Sequence, residues 1–243
     1  MHPAADGILL PEGRRPCRAP EHTKLSEAAM QSPIPRSALF NFAAKVYPAR
    51  GITLDGVCDE WDTHHQLPDL ALDGEAFATV WMAWEPDALW FAVKVPRTRA
   101  PQVIPNRPAS GDCVELYIDT RDVRSAHRAG RYCHKFIFAP QGRAGRARHP
   151  FFEHAEIARA TASPPKVTPD QVEVAASIEP ESYSMEIRLP AEALFGYDVE
   201  TNRRLGLAYV IHDIERPMQV WPHNADLPVW VDPALWAVVE LVD

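Results

Sequence analysis

The chain has 243 residues, 46% hydrophobic and 24% charged, enough apolar side chain to build a core without metals or disulfides. Its formal net charge of -8 excludes the basic surplus that a phosphate backbone demands, so no nucleic-acid partner is expected. No apolar run reaches the roughly 18–20 residues of a membrane span, and Ile8, Leu9 and Leu10 fall short of a secretory signal core of about 7–15 residues. A cytoplasmic protein is expected, and nothing in the sequence sets an oligomeric state.

Residues 1–36 carry prolines 3, 11, 16, 20, 33 and 35, scattered charges and no sustained periodicity. Such a segment buries too little surface to offset its ordering entropy, so it is expected to be a disordered extension, or an artefact of a start codon placed ahead of Met30. From there to residue 243 the pattern is strand after strand. Residues 39–47 are apolar and aromatic and stop at Pro48. Residues 77–84 and 89–95 flank Glu85, Pro86, Asp87 and Ala88, a hairpin turn with Pro and Asp where turn chemistry places them. Further strands are expected at 114–120, 132–139, 152–160, 172–178, 182–189, 205–213 and 237–242. One short helix is expected at 191–195, with Pro190 at its start and Gly196 closing it. Many short strands with one helical turn indicate an all-β fold: an antiparallel two-sheet sandwich of jelly-roll type.

The run Gly111, Asp112, Cys113, Val114, Glu115, Leu116, Tyr117, Ile118, Asp119 alternates cleanly. Val114, Leu116 and Ile118 belong in an inter-sheet core; Cys113, Glu115, Tyr117 and Asp119 face the other way, as either a solvated face or a polar binding surface. On the next strand His134, Phe136 and Phe138 share one face and Cys133, Lys135 and Ile137 the other. Trp230 lies in a proline-flanked stretch where a ring is exposed; Trp236, at a strand start, reads as core. Cys17, Cys58, Cys113 and Cys133 form no C-x-x-C pair and read as free thiols, although Cys113 and Cys133 on neighbouring strands leave a bridge open.

The order Leu54-Asp55-Gly56, Asp59-Glu60-Trp61, Val80 to Trp84-Glu85, Leu89-Trp90-Phe91, the strand from Gly111 to Asp119, and Trp230-Val231-Asp232-Pro233 resembles the family 9 carbohydrate-binding modules, part of a wider sandwich group that includes the DOMON domains. The resemblance implies a sugar held between two tryptophans, with a glutamate and a basic residue at its rim. Trp230 matches one tryptophan and Glu115 the glutamate. Ala109 stands where the second tryptophan is expected, and Arg107 offers a guanidinium that could stack in its place. For the basic residue the matching strand offers His134 and Lys135. Tyr117 and Asp232 complete the expected ligand-binding set. An aromatic platform covers the apolar face of a sugar while charged groups bind its hydroxyls, so these residue types suit that ligand.

Three rivals stand beside a non-catalytic sugar binder. A haem module would draw axial ligands from Met82, Met185, Met218, His134, Lys135 or His212. A glycoside hydrolase would need two carboxylates flanking one bond; Asp112, Glu115, Asp119 and Asp232 supply carboxylates, but no motif pairs them and no nucleophile–base constellation is present, so no catalytic residue is assigned. An interaction sandwich with a decayed sugar site is the third. The resemblance also implies structural calcium on loop carboxylates, with Asp55, Asp59, Asp112 and Asp122 as candidates; otherwise no cofactor is expected.

Overall fold

The computed structural model describes residues 42–70, 76–104, 107–142 and 149–243, so the extension at 1–36, its boundary and Cys17 lie outside the described residues. The chain is all-β. The strands are β1 Ala43–Pro48, β2 Thr79–Glu85, β3 Ala88–Pro96, β4 Cys113–Asp119, β5 Cys133–Ala139, β6 Phe151–Ala155, β7 Glu173–Ile178, β8 Ser182–Pro190, β9 Arg204–Asp213, β10 Arg216–Trp221 and β11 Ala237–Leu241. One sheet runs β6-β5-β4-β9-β11-β1 with β10 also on β9, and the other runs β1-β2-β3-β8-β7. Among the described residues no helix is long and apolar enough to cross a membrane.

The β2–β3 hairpin closes at Glu85 opposite Ala88, with Pro86 and Asp87 between them, as the turn residues dictate. Strand alternation then builds the core. Val114, Leu116 and Ile118 of β4, Phe136 and Phe138 of β5, and Leu205, Leu207, Tyr209 and Ile211 of β9 meet Val80, Met82, Phe91, Val93, Met185 and Ile187 of the opposing sheet. Trp84 joins this core, while Trp90 points outward and donates to Glu85 Oε2.

The outer face of the second sheet is covered too. Ala83, Ala88 and Ala92 keep it shallow, and Trp61 packs there with Trp90. Glu186, fully buried, fastens this cover by accepting from Trp61 Nε1 at 2.7 Å and from the amides of Asp55 and Gly56. Gly56 has φ 87, and a Cβ there would come within 2.6 Å of the Ala176 backbone, so the turn requires glycine.

Four features depart from the sequence reading. The helix at 191–195 is a single 3-10 turn, Ala191–Ala193, because Pro190 ends β8 instead of opening a helix, and Gly196 at φ 89 turns the chain at once. The sheets are not wholly antiparallel: β1 runs parallel to both β11 and β2, its first four residues on one sheet and Tyr47 and Pro48 on the other. Strand β10 goes unread in the sequence because Pro217 lies where its register shifts between Arg216 and Gln219. Strand β6 also stops at Ala155, well before residue 160.

Candidate ligand site on the outer face of β4

Strand register decides which side chains meet. Glu115 sits between Ile137 of β5 and Val210 of β9, and Tyr117 between Lys135 and Ala208. Cys113 stands opposite His212, and Ile137 opposite Glu153 of β6. Alternation therefore places Cys113, Glu115, Tyr117, Lys135, His212 and Glu153 on one face, turned away from the inter-sheet core.

That face is neither open nor simply solvated. Every residue of β4 is buried. Ala129, Ile157, Val229 and Trp236, from three separate loops, close over Tyr117, Cys133, Ala208 and Val210 as a second apolar cluster. At the other end Cys113, Ile137 and Ala139 pack with Val103, Phe151 and Ala155. Between these patches lies a polar centre. Lys135 Nζ pairs with Glu115 Oε1 at 2.9 Å and lies 5.3 Å from the Tyr117 ring centroid. The Tyr117 hydroxyl donates to Glu115 Oε2, and His212 Nε2 stands 3.8 Å from the same oxygen.

The electrostatics fix the proton inventory. Burial alone pushes the Glu115 carboxyl up, but His212, Lys135 and Tyr117 together overcome that and hold it at about 2. Burial, and then the Glu115 charge, push the Tyr117 phenol well above its ordinary range, so it stays a donor. Burial likewise pushes the Cys113 thiol up, with Glu115 adding to it, and lifts Cys133 to about 12, which leaves no thiolate nucleophile here. Cys113 and Cys133 are free thiols, as expected; Cys113 is registered on His212 and Cys133 on Asp119, towards opposite ends of β4.

The structure brings Glu115, Tyr117 and Lys135 together. It carries Trp230 on the segment that packs over Tyr117: Val229 is buried in the outer cluster, Trp236 donates to the Val229 carbonyl at 2.7 Å, and the Trp236 ring lies 5.8 Å from Tyr117. Trp230 itself is 36% exposed, as the proline-flanked stretch predicts. Arg107 is exposed and opens the Pro108–Ser110 turn, which packs against β4 and β5; Ala109 within it is half-buried.

Two expected members stand elsewhere. His134 is registered on Ile118 and faces the core, fully buried and stacked on Phe136, so it is on the opposite side of the sheet from Glu115. Asp232 is half-buried and occupied: Oδ1 caps the Pro233–Leu235 turn through the Ala234 amide, and Oδ2 meets His127 at 3.0 Å. His212 and Glu153 join the face without having been assigned to it. Their strand parity could have shown this, but only once β9 and β6 are known to flank β4 and β5.

The metal and haem candidates are also placed. Among the described residues Asp55, Glu60 and Glu186 offer carboxylate oxygens within 4.8 Å of one another. Glu186 already accepts three N–H donors there, and calcium takes about 6–8 oxygen ligands, so the trio is a poor fit. Asp59 is outside it, Asp112 is engaged by Arg97 and Arg99, and Asp122 by Arg124 and Arg204. Met82, Met185 and His134 are fully buried in the core, Met218 is exposed, and Lys135 and His212 stand at Glu115 on the opposite face of the sheet.

With this geometry in hand, comparison with solved structures is decisive for the fold. A family 9 carbohydrate-binding module from Caldicellulosiruptor kristjanssonii, in complex with cellotriose, superposes with a TM-score of 0.59 at 15% identity, covering 82% of this chain and 93% of that one. This chain has a family 9 carbohydrate-binding module-like fold. The module from the same organism in complex with glucose gives a TM-score of 0.58 at 16% identity, over 82% of this chain and 95% of that one. No family model and no curated protein matches the sequence. The likeness is therefore carried by the β-architecture.

Proposed function

We infer that this chain is a non-catalytic sugar-binding protein, and that its ligand lies on the outer face of β4, β5 and β9 against Trp230. One observation carries the reading: Glu115, held ionised by His212, Lys135 and Tyr117, is bonded to a tyrosine over which packs the segment that presents a part-exposed indole. A sugar needs a flat apolar surface for its C–H face and fixed polar groups for its hydroxyl rim, and these residues supply both. Because Glu115 is already engaged on both oxygens, the remaining N–H donors of Lys135 and the ring of His212 are the groups that meet ligand oxygens. The structural neighbours, solved with glucose and cellotriose, support a sugar as the class of ligand. With a small side chain at Ala109 the site has one aromatic wall, which favours a modest affinity.

Calorimetry with the best hit of a glycan array tests this. Trp230→Ala is expected to weaken binding at least about tenfold, the equivalent of ~1.4 kcal/mol, with little change in melting temperature because the ring is part-exposed. Glu115→Gln is expected to weaken binding as well, and to lower the melting temperature, since it strands Lys135 without its carboxylate. Affinities unchanged by both substitutions would remove this face from the binding reaction.

A further inference from the structure

The segment that follows β6 wraps the edge of the sheet. Its first part lies on the ligand side, where Ile157 is buried in the outer cluster and Ala160 packs against it. Thr161 ties it down, donating to the Ala129 carbonyl from its amide at 2.7 Å and its hydroxyl at 3.0 Å. Its last part returns to the inter-sheet core at Val167, which is buried there. Between the two parts lies a cavity of about 140 Å³ whose lining includes Cys133, His154, Glu156, Ser163 and Lys166.

Beside that packing, a hydrogen bond to one side chain ties the return. His154 Nδ1 accepts the Val167 N–H at 3.0 Å. Only a neutral ring protonated on Nε2 can do this, because both nitrogens of an imidazolium are donors. The surroundings resist a positive charge. The ring stacks on Phe136 at 5.0 Å and on His134 at 5.6 Å. Its own Nε2 is buried with no hydrogen-bond partner among the described residues. From β5, His134 faces it fully buried, its Nδ1 also unpartnered and its Nε2 reaching only the Phe195 carbonyl at 3.5 Å. From the segment itself, Lys166 and Glu156 line the same cavity, and Lys166 is the cation that acts on His154.

We propose that His154 is an acid-released latch, pinning the 156–167 segment through the Val167 amide at neutral pH and releasing that amide when the ring is protonated. Burial, then Lys166, depress its proton affinity, and burial with His154 holds His134 at about 4. The sign follows. The closed form binds the proton less well than a solvated imidazole of pKa about 6.5, so the latch is fully closed above that pH. It opens as the pH falls below it. Opening removes the polar tie at the inner end of the segment, leaving only the packing of Val167 there, so the segment whose Ile157 end walls the outer face loosens in acid. The latch is a property of the fold and stands whether or not the face takes a sugar.

Hydrogen exchange of the full chain at pH 7.5 and pH 5.0, corrected for intrinsic rates, tests it without any ligand. In the wild type, protection of the Val167 amide is expected to fall at least about tenfold while amides of β4 and β9 keep theirs. His154→Asn places a carbonyl oxygen near the position of Nδ1, and is expected to hold Val167 protection at both pH values. His134→Phe is expected to keep the wild-type response. Unchanged protection of Val167 in the wild type, loss shared equally with β4 and β9, or the same loss in His154→Asn would overturn the latch. A nitrogen-detected titration of the wild-type ring guards against a variant that fails to fold. The Nε2–H tautomer at pH 7.5, and a Val167 amide shift with the same midpoint as the ring, are expected; the other tautomer or a different midpoint contradicts the proposal.

Discussion

Asp112→Ala is expected to destabilise the chain by about 3–5 kcal/mol, the range for stranding a buried charge by removing its partner. Asp112 opens β4 with a carboxylate that is 0% exposed, and Arg97, 1% exposed at its side chain, pairs with it at 3.1 Å. Arg99 pairs with it at 3.2 Å, and the amides of Gln102 and Ile214 donate to it. One carboxylate thus neutralises a buried guanidinium and fastens two loops beside the Cys113 and His212 end of the outer face. Alanine leaves Arg97 with the Tyr183 ring, 5.6 Å away, and the field of the Asp213 carboxylate, but without a paired acceptor. Equilibrium urea denaturation reads the effect as a large drop in midpoint. A loss below about 1 kcal/mol would mean that water reaches Arg97.

Trp236→Ala is expected to cost a similar amount, about 3–5 kcal/mol, because the ring is 1% exposed and its removal leaves a large cavity. The damage should also reach the ligand. Trp236 fills the space over Tyr117, donates to the Val229 carbonyl, and accepts from Arg124 at its own carbonyl, so it sets the position of the segment bearing Trp230. Trp236→Phe keeps a ring against Tyr117 but leaves the Val229 carbonyl unmet, and is expected to cost only about 1–3 kcal/mol. Denaturation midpoints for the two variants check the ranking. Equal costs would show that the hydrogen bond, and not the volume, is what matters.

The strand alternation of Cys113 to Asp119 made the inner and outer faces of β4 legible, and the turn residues made the β2–β3 hairpin legible. Trp236 as core and Trp230 as exposed could be read from their flanking prolines and strand position. The covering of the outer face could not. It depends on Ala129, Ile157 and Val229 arriving from loops far apart in the chain, and no local pattern encodes their meeting. For the same reason Glu115 looked like an open acceptor, whereas three neighbours engage it. His134 and Lys135 are adjacent in sequence, so parity allows only one of them on the ligand face; registry with Ile118 assigns His134 to the core. His212 and Glu153 were hidden by strand order, which hydrophobic periodicity does not report.

The most direct test is a chemical-shift titration of the isotopically labelled full chain, using cellotriose and glucose first and then the tightest binder from a glycan array. Saturable shifts at the Trp230 indole, at Lys135 and His212, and along residues 227–235 are the expected result. Saturable shifts confined to the opposite sheet around Trp61 and Trp90, or none with any saccharide, would contradict a sugar site over Glu115.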